Sequence, residues 1–227
     1  KLELEYMPTS SRKYPFIHFK PGRSCGDVIL EIDNVSKKID GIPVLDNFSL
    51  TVNKGEKIGF VGTNSLAITT LFQILTGELE QDSGTFRWGV TMSFSYFPKE
   101  NSSFFNDDKR LVDWLGDYTP VTEGESFARG FLGKMLFSGD EALKKTSVLS
   151  GGERVRCMLS KMMLSDANAL ILDEPTNHLD LESITALNNG LTAFHEVILF
   201  SSHDHTIMDT VAGRIIEILP GGVIDKM

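Results

Sequence analysis

The sequence has little positive charge. Its 22 lysine and arginine residues are outnumbered by 31 aspartate and glutamate residues, which gives a net charge of -9 at pH 7. Proteins that bind nucleic acid by electrostatic attraction concentrate basic residues against the phosphates. The charge balance therefore argues against a dedicated nucleic-acid binder, although docking on a nucleoprotein through a local basic surface stays compatible with it.

Cysteines and long apolar runs are also scarce. The two cysteines, Cys25 and Cys157, do not make a disulfide framework, so we expect reduced thiols in a cytoplasmic protein. No apolar stretch approaches the roughly 20 residues that a membrane-spanning helix needs. No signal peptide is visible, but the first residue is Lys1, and we expect the chain to be a segment of a longer protein.

The chain is long enough to build a real hydrophobic core. Its 227 residues fit one large domain, or one domain with a small subdomain. Residues 1–24 lack clear periodicity and are interpreted as the end of an interdomain linker, followed by a domain over residues 25–227. Within that domain, residues 106–148 carry short helical patterns that glycine and proline interrupt. This segment is predicted to form a separate helical subdomain.

Strand-like and helix-like segments alternate in the rest of the domain. Such alternation is typical of an α/β fold with a parallel sheet and helices on its faces. Ligands of such folds bind beyond the carboxyl ends of the strands. The predicted strands cover residues 28–32, 44–52, 57–61, 84–98, 169–172, 197–200 and 214–219, and the helical stripes cover residues 69–79, 155–163 and 181–191.

The segment after the strand at residues 57–61 has the context of a phosphate-binding loop. In such loops a strand, a glycine-rich turn and a helix start wrap the phosphates with backbone N–H groups. Gly62 fills the first glycine position and Thr69 fills the position of the magnesium-binding hydroxyl. An ordinary strand–turn–helix explains the loop equally well when it is taken alone. The candidate nucleotide-binding residues are Gly62, Thr63, Asn64, Ser65, Leu66, Ala67, Ile68, Thr69 and Thr70.

Two positions of this loop depart from the phosphate-loop pattern. Ala67 replaces the second glycine, which predicts a steric conflict wherever the loop requires a positive φ. Ile68 replaces the lysine whose charge reaches the outer phosphates. A charge-assisted hydrogen bond of this kind is worth roughly 1.5–3 kcal/mol. We therefore expect weakened nucleotide affinity at this loop.

An acidic pair, Asp173 and Glu174, ends the apolar strand at residues 169–172. An aspartate at that edge of a sheet can hold Mg²⁺, and a glutamate beside it can polarise an attacking water. Thr69 and Asp173 are therefore the candidate metal ligands, and Glu174 is a candidate catalytic base. A buried strand that ends in an acidic turn is the alternative, but the motifs on both sides of the pair favour the functional interpretation.

The sequence LSGGE, at residues 149–153, begins a predicted helix. A serine and two glycines there leave several N–H groups exposed to an anion. Glu153 lies three residues after Ser150 and completes a capping box with it. The two interpretations are compatible. The candidate signature residues are Ser150, Gly151, Gly152 and Glu153.

Taken together, these motifs resemble the nucleotide-binding domain of ATP-binding cassette (ABC) proteins over about residues 28–220. LSGGE resembles the family signature, ALILDE the Walker B strand, NHLD the D-loop with Asp180, and SSHDH contains a counterpart of the switch histidine, His203. The resemblance implies ATP and Mg²⁺ as ligands, with Glu174 and His203 in catalytic roles. It also implies a P-loop NTPase-like parallel sheet with an antiparallel β subdomain and a small helical subdomain.

Within the family, NHLD after DEPT is similar to the ABC-F group, whose members carry two cassettes on one chain and act on ribosomes. The resemblance implies that this chain is a second cassette, that another cassette in the same chain or in a dimer is its partner, and that the ribosome is a further partner. One alternative is the ATP-binding subunit of a transporter, which needs a membrane partner. Another is a degenerate regulatory cassette with weakened nucleotide binding, which Ile68 favours.

Two further positions depart from the family pattern. Lys99 stands where the family usually has a glutamine, and a protonated lysine cannot ligate magnesium. It can replace some of the lost positive charge, although a solvated loop lysine explains it as well. The aromatic residue that is expected to stack on adenine near Ile39 is absent.

Overall fold

The computed structural model describes residues 14–219 and 222–226 of the chain. The first 13 residues of the predicted linker lie outside the described residues. The strands are β1 (Leu30–Ile39), β2 (Ile42–Val52), β3 (Lys57–Gly62), β4 (Ser83–Trp88), β5 (Phe94–Phe97), β6 (Ala169–Asp173), β7 (Val197–Ser201), β8 (Arg214–Leu219) and β9 (Gly222–Lys226). The helices are α1 (Ser65–Thr76), α2 (Leu111–Gly116), α3 (Glu125–Lys134), α4 (Gly151–Leu164), α5 (Leu181–Ala193) and α6 (His205–Val211), and short 3-10 turns cover Ser102–Phe105, Gly139–Leu143 and Thr146–Val148.

The larger sheet has six strands in the order β5-β6-β7-β3-β8-β9. All pairings are parallel except the one between β8 and β9. Strands β6 and β7 are buried along their whole length, as their continuous apolar sequences predict for central strands of a parallel sheet. The carboxyl ends of β5, β6, β7 and β3 therefore meet at one edge of the sheet.

The smaller sheet is antiparallel, with strand order β2-β1-β4. Strands β1 and β2 form a hairpin in which Ile39 pairs with Ile42. Its two turn residues, Asp40 and Gly41, have φ values of 51° and 78°. Positive φ at both central residues is the geometry of a type I′ turn, whose twist matches that of the flanking strands. The predicted α/β fold, with a parallel core and an antiparallel sheet, is confirmed.

Two hydrophobic clusters lie among the described residues. One packs α1 against the antiparallel sheet and one face of the parallel sheet, and it contains Phe48, Ile68 and Leu71. The other packs α4, α5, α6 and the helical segment, and it contains Trp114 and Met158. No helix in the described part of the chain is long and apolar enough to cross a membrane.

The segment predicted as a single strand over residues 84–98 forms two strands in two different sheets. The chain turns at Gly89, whose N–H donates to the Ile29 carbonyl at 2.9 Å. A Cβ atom added at Gly89 would lie 1.8 Å from the Val28 carbonyl oxygen, so only glycine allows this close approach. The break between β4 and β5 depends on this contact with a distant segment, and the strand composition on both sides conceals it.

Helices α2 and α3 fall within residues 106–148, where the helical subdomain is predicted. The ring of Trp114 stacks on Phe105 with 4.9 Å between centroids, and its indole N–H donates to the Phe104 carbonyl at 2.7 Å. The Lys161 ammonium of α4 lies 4.1 Å from the Phe104 ring centroid. These contacts attach the helical segment to α4. That residues 106–148 form a separate subdomain with these limits stays a prediction.

The described part of the predicted linker packs onto the domain. The Phe16 N–H donates to the Lys134 carbonyl at the end of α3, and the Gly22 N–H donates to the Asp166 carbonyl after α4. The side chain of Phe19 is buried against the α4–α6 cluster. Both cysteines are free and buried, and the Cys25 thiol donates to Glu196 at 2.6 Å.

A pair of glycine-to-alanine substitutions tests the turn between β4 and β5. Gly89→Ala should cost about 1–3 kcal/mol of unfolding free energy, because the new methyl group overlaps the Val28 carbonyl. Gly130→Ala in α3 meets nothing within 4 Å and should stabilise the protein by about 0.5–1 kcal/mol. Urea denaturation of both variants measures the two effects. Equal stabilities would contradict the close approach at Gly89.

Candidate functional site

The site lies where the carboxyl ends of β6 and β7 meet the start of α1. Asp173 ends β6 and pairs in register with Ser201, which ends β7. The Thr69 hydroxyl donates to Asp173 Oδ2 at 2.6 Å, and the Ser201 hydroxyl donates to Asp173 Oδ1 at 2.8 Å. The two predicted metal ligands, Thr69 and Asp173, are therefore in direct contact. The structure adds Ser201, which the serine pair directly after the apolar strand at residues 197–200 could have indicated.

The carboxyl group of Asp173 is buried, and this burial has the largest effect on its pKa. Burial raises the pKa of Asp173, while hydrogen bonds from Thr69 and Ser201 and the charge of Lys99 act in the opposite direction. A buried carboxylate needs partners that satisfy its charge. The two hydroxyl groups supply part of what is needed.

The oxygen atoms of Thr69 and Asp173 fit Mg²⁺, which prefers hard oxygen ligands and usually takes one or two groups from the protein. Phosphate and water oxygens complete the coordination in sites of this type. Within the described residues, no group of three or more His, Cys, Asp or Glu side chains could hold a metal ion without such help. The pair therefore fits a magnesium ion that arrives together with a phosphate ligand.

Glu174 adopts a left-handed backbone conformation with φ of 52°. This conformation costs about 1–3 kcal/mol in a residue other than glycine and persists only where its surroundings enforce it. Here the Glu174 N–H donates to the Ser201 hydroxyl at 3.1 Å and to the Ser201 carbonyl at 3.2 Å. The Ser201 hydroxyl therefore contacts both acidic residues.

His203 holds the carboxylate of Glu174 at two points. Its backbone N–H donates to Glu174 Oε2 at 3.2 Å, and its Nε2 lies 3.2 Å from Glu174 Oε1. The Glu174 side chain is 5% exposed, whereas the His203 side chain is 81% exposed. Burial raises the pKa of Glu174, and the neighbouring His203 lowers it in part. A buried carboxylate with a raised pKa beside an exposed imidazole is an arrangement suited to accepting a proton from water.

The phosphate loop is shorter than its sequence suggests. Helix α1 begins at Ser65 and not at residue 69, and the Asn64 side chain caps it by accepting the Leu66 N–H at 3.1 Å. None of residues 62–70, all of which are described, has a positive φ. The steric conflict expected at Ala67 is therefore wrong, because Ala67 lies inside the helix. Thr63 to Leu66 are exposed, while Ala67, Ile68 and Thr70 are buried.

Ile68 belongs to the hydrophobic core. Its side chain is 4% exposed and packs in the cluster of α1 and the antiparallel sheet. Gly62 is required for a packing reason, since a Cβ atom there would lie 2.5 Å from the Ile218 carbonyl oxygen of β8. Neither residue contributes a charged group to the loop. The nucleotide-binding role of the loop residues stays a prediction.

A cleft of about 160 Å³ opens beside Glu174. Lys99, Arg154, Gly151 and His178 contribute to its walls. Lys99 follows β5, and its ammonium group lies 3.4 Å from the Ser65 hydroxyl at the start of α1. The cleft therefore lies between the catalytic candidate Glu174 and the signature helix α4, and Lys99 in its wall also contacts the start of α1.

The signature residues cap α4 as the sequence predicts. The Ser150 hydroxyl accepts the Glu153 N–H, and the Glu153 carboxylate accepts the Ser150 N–H at 2.8 Å. A Cβ atom at Gly151 or Gly152 would lie 2.9 or 2.8 Å from atoms of His178, so both glycines allow the segment after β6 to approach α4. Ser150 and Gly151 are themselves exposed.

Asp180 caps α5 by accepting the Ser183 N–H at 2.8 Å. This contact explains the residue type through helix capping alone. The part that Asp180 plays in a D-loop stays a prediction.

Comparisons with known proteins agree with the family resemblance of the sequence motifs. The family described as ABC transporter matches residues 45–177. The chain is 60% identical over its full length to the ABC transporter ATP-binding protein YkpA of Bacillus subtilis, covering 42% of that protein. It is 32% identical over 97% of its length to the energy-dependent translational throttle protein EttA of Escherichia coli K12, covering 40% of it. It is 36% identical over 82% of its length to the ATP-binding protein Uup-like of Haemophilus influenzae, covering 41% of it.

These relatives are longer than the chain, which spans about two fifths of their length. Among solved structures, an inward-facing metal-chelate type ABC transporter matches with a TM-score of 0.67 and 18% identity. The match covers 88% of this chain and 83% of that chain. At this identity the match supports the fold alone.

The Ser201 hydroxyl can be tested by its removal. Ser201→Ala should lower the unfolding free energy by about 1–3 kcal/mol, because it leaves Asp173 Oδ1 buried without its hydrogen-bond donor. Ser160→Ala is the matched control, since that buried hydroxyl donates only to the Arg156 carbonyl of its own helix and should cost less than about 1 kcal/mol. Urea denaturation compares the two, and equal losses would contradict a special role for Ser201.

The start of the signature helix should give a pH-dependent contribution to stability. Burial raises the pKa of Glu153, but hydrogen bonds from Ser150 and Lys144 outweigh it and the net pKa is lowered from 4.5. The ionised carboxylate therefore stabilises the fold above pH 4.5, and this contribution is lost as the pH falls through the lowered pKa. Glu153→Gln should cost up to about 1 kcal/mol at pH 7.

The cost of Glu153→Gln should shrink towards zero as the pH falls below 4.5, the ordinary value for this group. Thermal unfolding of the variant and the unmodified chain between pH 7 and pH 3.5 measures the difference. The control Glu123→Gln changes an exposed glutamate away from the start of α4. A constant difference across the pH range would exclude the linkage.

Proposed function

The chain belongs to the ATP-binding cassette family, and from this membership we propose that it is a nucleotide-binding domain that hydrolyses ATP together with a second cassette. The arrangement of Thr69, Asp173, Ser201, Glu174 and His203 at one sheet edge carries the proposal. It joins a pair of hard oxygen ligands to a buried carboxylate that faces an exposed imidazole. Each of these groups has a role in phosphoryl transfer to water.

In this proposal Thr69 and Asp173 hold Mg²⁺, which neutralises charge on the phosphate oxygens when it is bound. Glu174 orients the attacking water and accepts its proton, and its buried, raised-pKa carboxylate suits that task. The ring of His203 is exposed, and its Nε2 atom lies 3.2 Å from the Glu174 carboxylate. The ring can therefore contact a phosphate while the backbone N–H of His203 still donates to the Glu174 carboxylate. Ser201 keeps both acidic residues in place.

A second cassette is part of the proposal because the first two signature residues of this chain are exposed. Ser150 and Gly151 lie at the surface at the start of α4, where they are available to a nucleotide bound on another cassette. The curated relatives are more than twice as long as the chain, which leaves room in each for another domain of this size. We expect the isolated chain to be monomeric without ATP and to turn over little ATP.

We further propose that the protein is cytoplasmic and acts in translation, as an ABC-F type ATPase associated with the ribosome. The NHLD motif and the similarity to the translational throttle protein EttA support this. The alternative, an ATP-binding subunit of a transporter with a membrane partner, is favoured by the name of the relative YkpA, an ABC transporter ATP-binding protein. Co-sedimentation of the full-length protein with ribosomes, with and without ATP, discriminates between the two.

The burial of Ile68 favours a second candidate function. A cassette whose phosphate loop carries no charge can serve as a regulatory module that donates its signature to the partner's nucleotide and binds its own weakly. The two candidates differ in whether this site retains and cleaves ATP.

Replacement of the proposed base tests hydrolysis at this site. In the full-length protein, Glu174→Gln should retain ATP uncleaved, because general-base assistance contributes about 10²–10⁴-fold to the rate. Radiolabelled nucleotide retained after rapid gel filtration is identified as ATP or ADP, with Glu123→Gln as the control. An ADP content equal to that of the control would refute the role of Glu174. Retention of no nucleotide at this site would favour the regulatory module.

A further inference from the structure

The phosphate loop lacks the lysine that would bring a positive charge to the phosphates. The start of α1 offers backbone N–H groups and the positive end of a helix dipole, but Ile68 faces the core and Thr63 to Leu66 are uncharged. ATP carries its negative charge on the phosphates, so a basic side chain that contacts them beside the magnesium ion has to come from another element.

Lys99 is placed at the site by the register of the parallel sheet. Phe97 on β5 pairs with Leu172 on β6, so Lys99 and Glu174 each lie two residues beyond that pair. The Lys99 side chain crosses the strand ends towards α1, where its ammonium nitrogen lies 3.4 Å from the Ser65 hydroxyl. Ser65 is the first residue of α1, so a phosphate bound at the start of that helix lies within reach of Lys99.

The charge of Lys99 is available to a ligand. None of the ion pairs formed among the described residues includes Lys99. Its side chain is half-buried in the wall of the cleft beside Glu174. Its charge acts on both carboxyl groups of the site, since it lowers the pKa values of Asp173 and Glu174 against the larger effect of burial.

We propose that Lys99 binds the phosphate groups of ATP at this site and so takes over the task of the lysine that Ile68 replaces. The two positions approach the ligand from different sides. A phosphate-loop lysine extends from the start of the helix, whereas Lys99 extends from the end of the neighbouring strand β5. Lysine is a point charge on a flexible stem and tolerates such a change of origin. The inference rests on the proposed function, because it requires that this site binds ATP.

A structural role is the competing explanation for Lys99. In that role the ammonium group only offsets the two buried carboxylates, and its removal changes stability without changing ATP affinity. The phosphate-binding role predicts the opposite result, which is a loss of ATP affinity when the positive charge is removed. Any cation of similar reach should preserve affinity, and a neutral side chain should lose it.

Hydrogen exchange in the full-length protein tests the proposal at this site alone. Titration with Mg-ATP should protect the peptide that spans residues 58–76, while a peptide from α3 serves as the internal reference. Lys99→Met should weaken the ATP-dependent protection at least about tenfold in ATP concentration, as expected for a lost charge-assisted contact. Methionine is used because glutamine, the usual residue of the family at this position, could itself ligate magnesium. Lys99→Arg should keep the affinity within about threefold. Lys20→Met, at an exposed lysine of the N-terminal segment, is the matched control and should have no effect.

The outcomes separate the inference from the proposed function. Protection of the unmodified protein that survives Lys99→Met unchanged would overturn the role of Lys99 and leave ATP binding intact. Loss of protection in both Lys99→Met and Lys99→Arg, with unchanged melting temperatures, would also overturn it, because charge would not be the property required. No protection of the unmodified protein at millimolar ATP would overturn both proposals. Loss in Lys99→Met with retention in Lys99→Arg supports the assignment.

Discussion

The hydroxyl group of Ser201 bonds to two consecutive acidic residues, and the geometry of the site depends on it. It donates to the Asp173 carboxylate and accepts the backbone N–H of Glu174, which has a positive φ. One small side chain therefore offsets the burial of one carboxylate and holds the next residue in a strained conformation. Parallel pairing of β6 with β7 places Ser201 exactly opposite Asp173, so the sheet register sets this arrangement.

Charge is distributed around the site in an uneven way. The acidic groups lie on the ends of central strands, where burial raises the pKa values of Asp173 and Glu174. Helix α1, which starts within the phosphate loop, brings only uncharged residues to the site, and the side chain of Ile68 packs in the hydrophobic core. Lys99, from the edge strand β5, is then the cation that acts on both carboxylates. The proposed metal binding and water activation therefore rest on the central strands of the sheet, and the proposed phosphate contact comes from its margin.

The phosphate loop, the acidic pair and His203 were predictable because each follows a short apolar strand, and parallel strands bring their carboxyl ends together. Asp173 and Thr69 were expected as a pair for that reason, and they are in contact. The division of residues 84–98 into two strands was not predictable, because it depends on the approach of Gly89 to the Val28 carbonyl. The start of α1 at Ser65 was also missed, since the apolar stripe begins later than the Asn64 cap.

The sequence by itself determined the family, the α/β fold class and the identity of the acidic pair, because these follow from local patterns and from motif order. Only the tertiary structure decided which side chains face the site. Ile68 occupies a motif position but is drawn into the core, since α1 packs its apolar face on the antiparallel sheet. The motifs predicted neither neighbour, yet the strand register carries Ser201 to Asp173 and Lys99 to the cleft beside Glu174. Sequence spacing does not encode such contacts, because they arise between strands that are far apart along the chain.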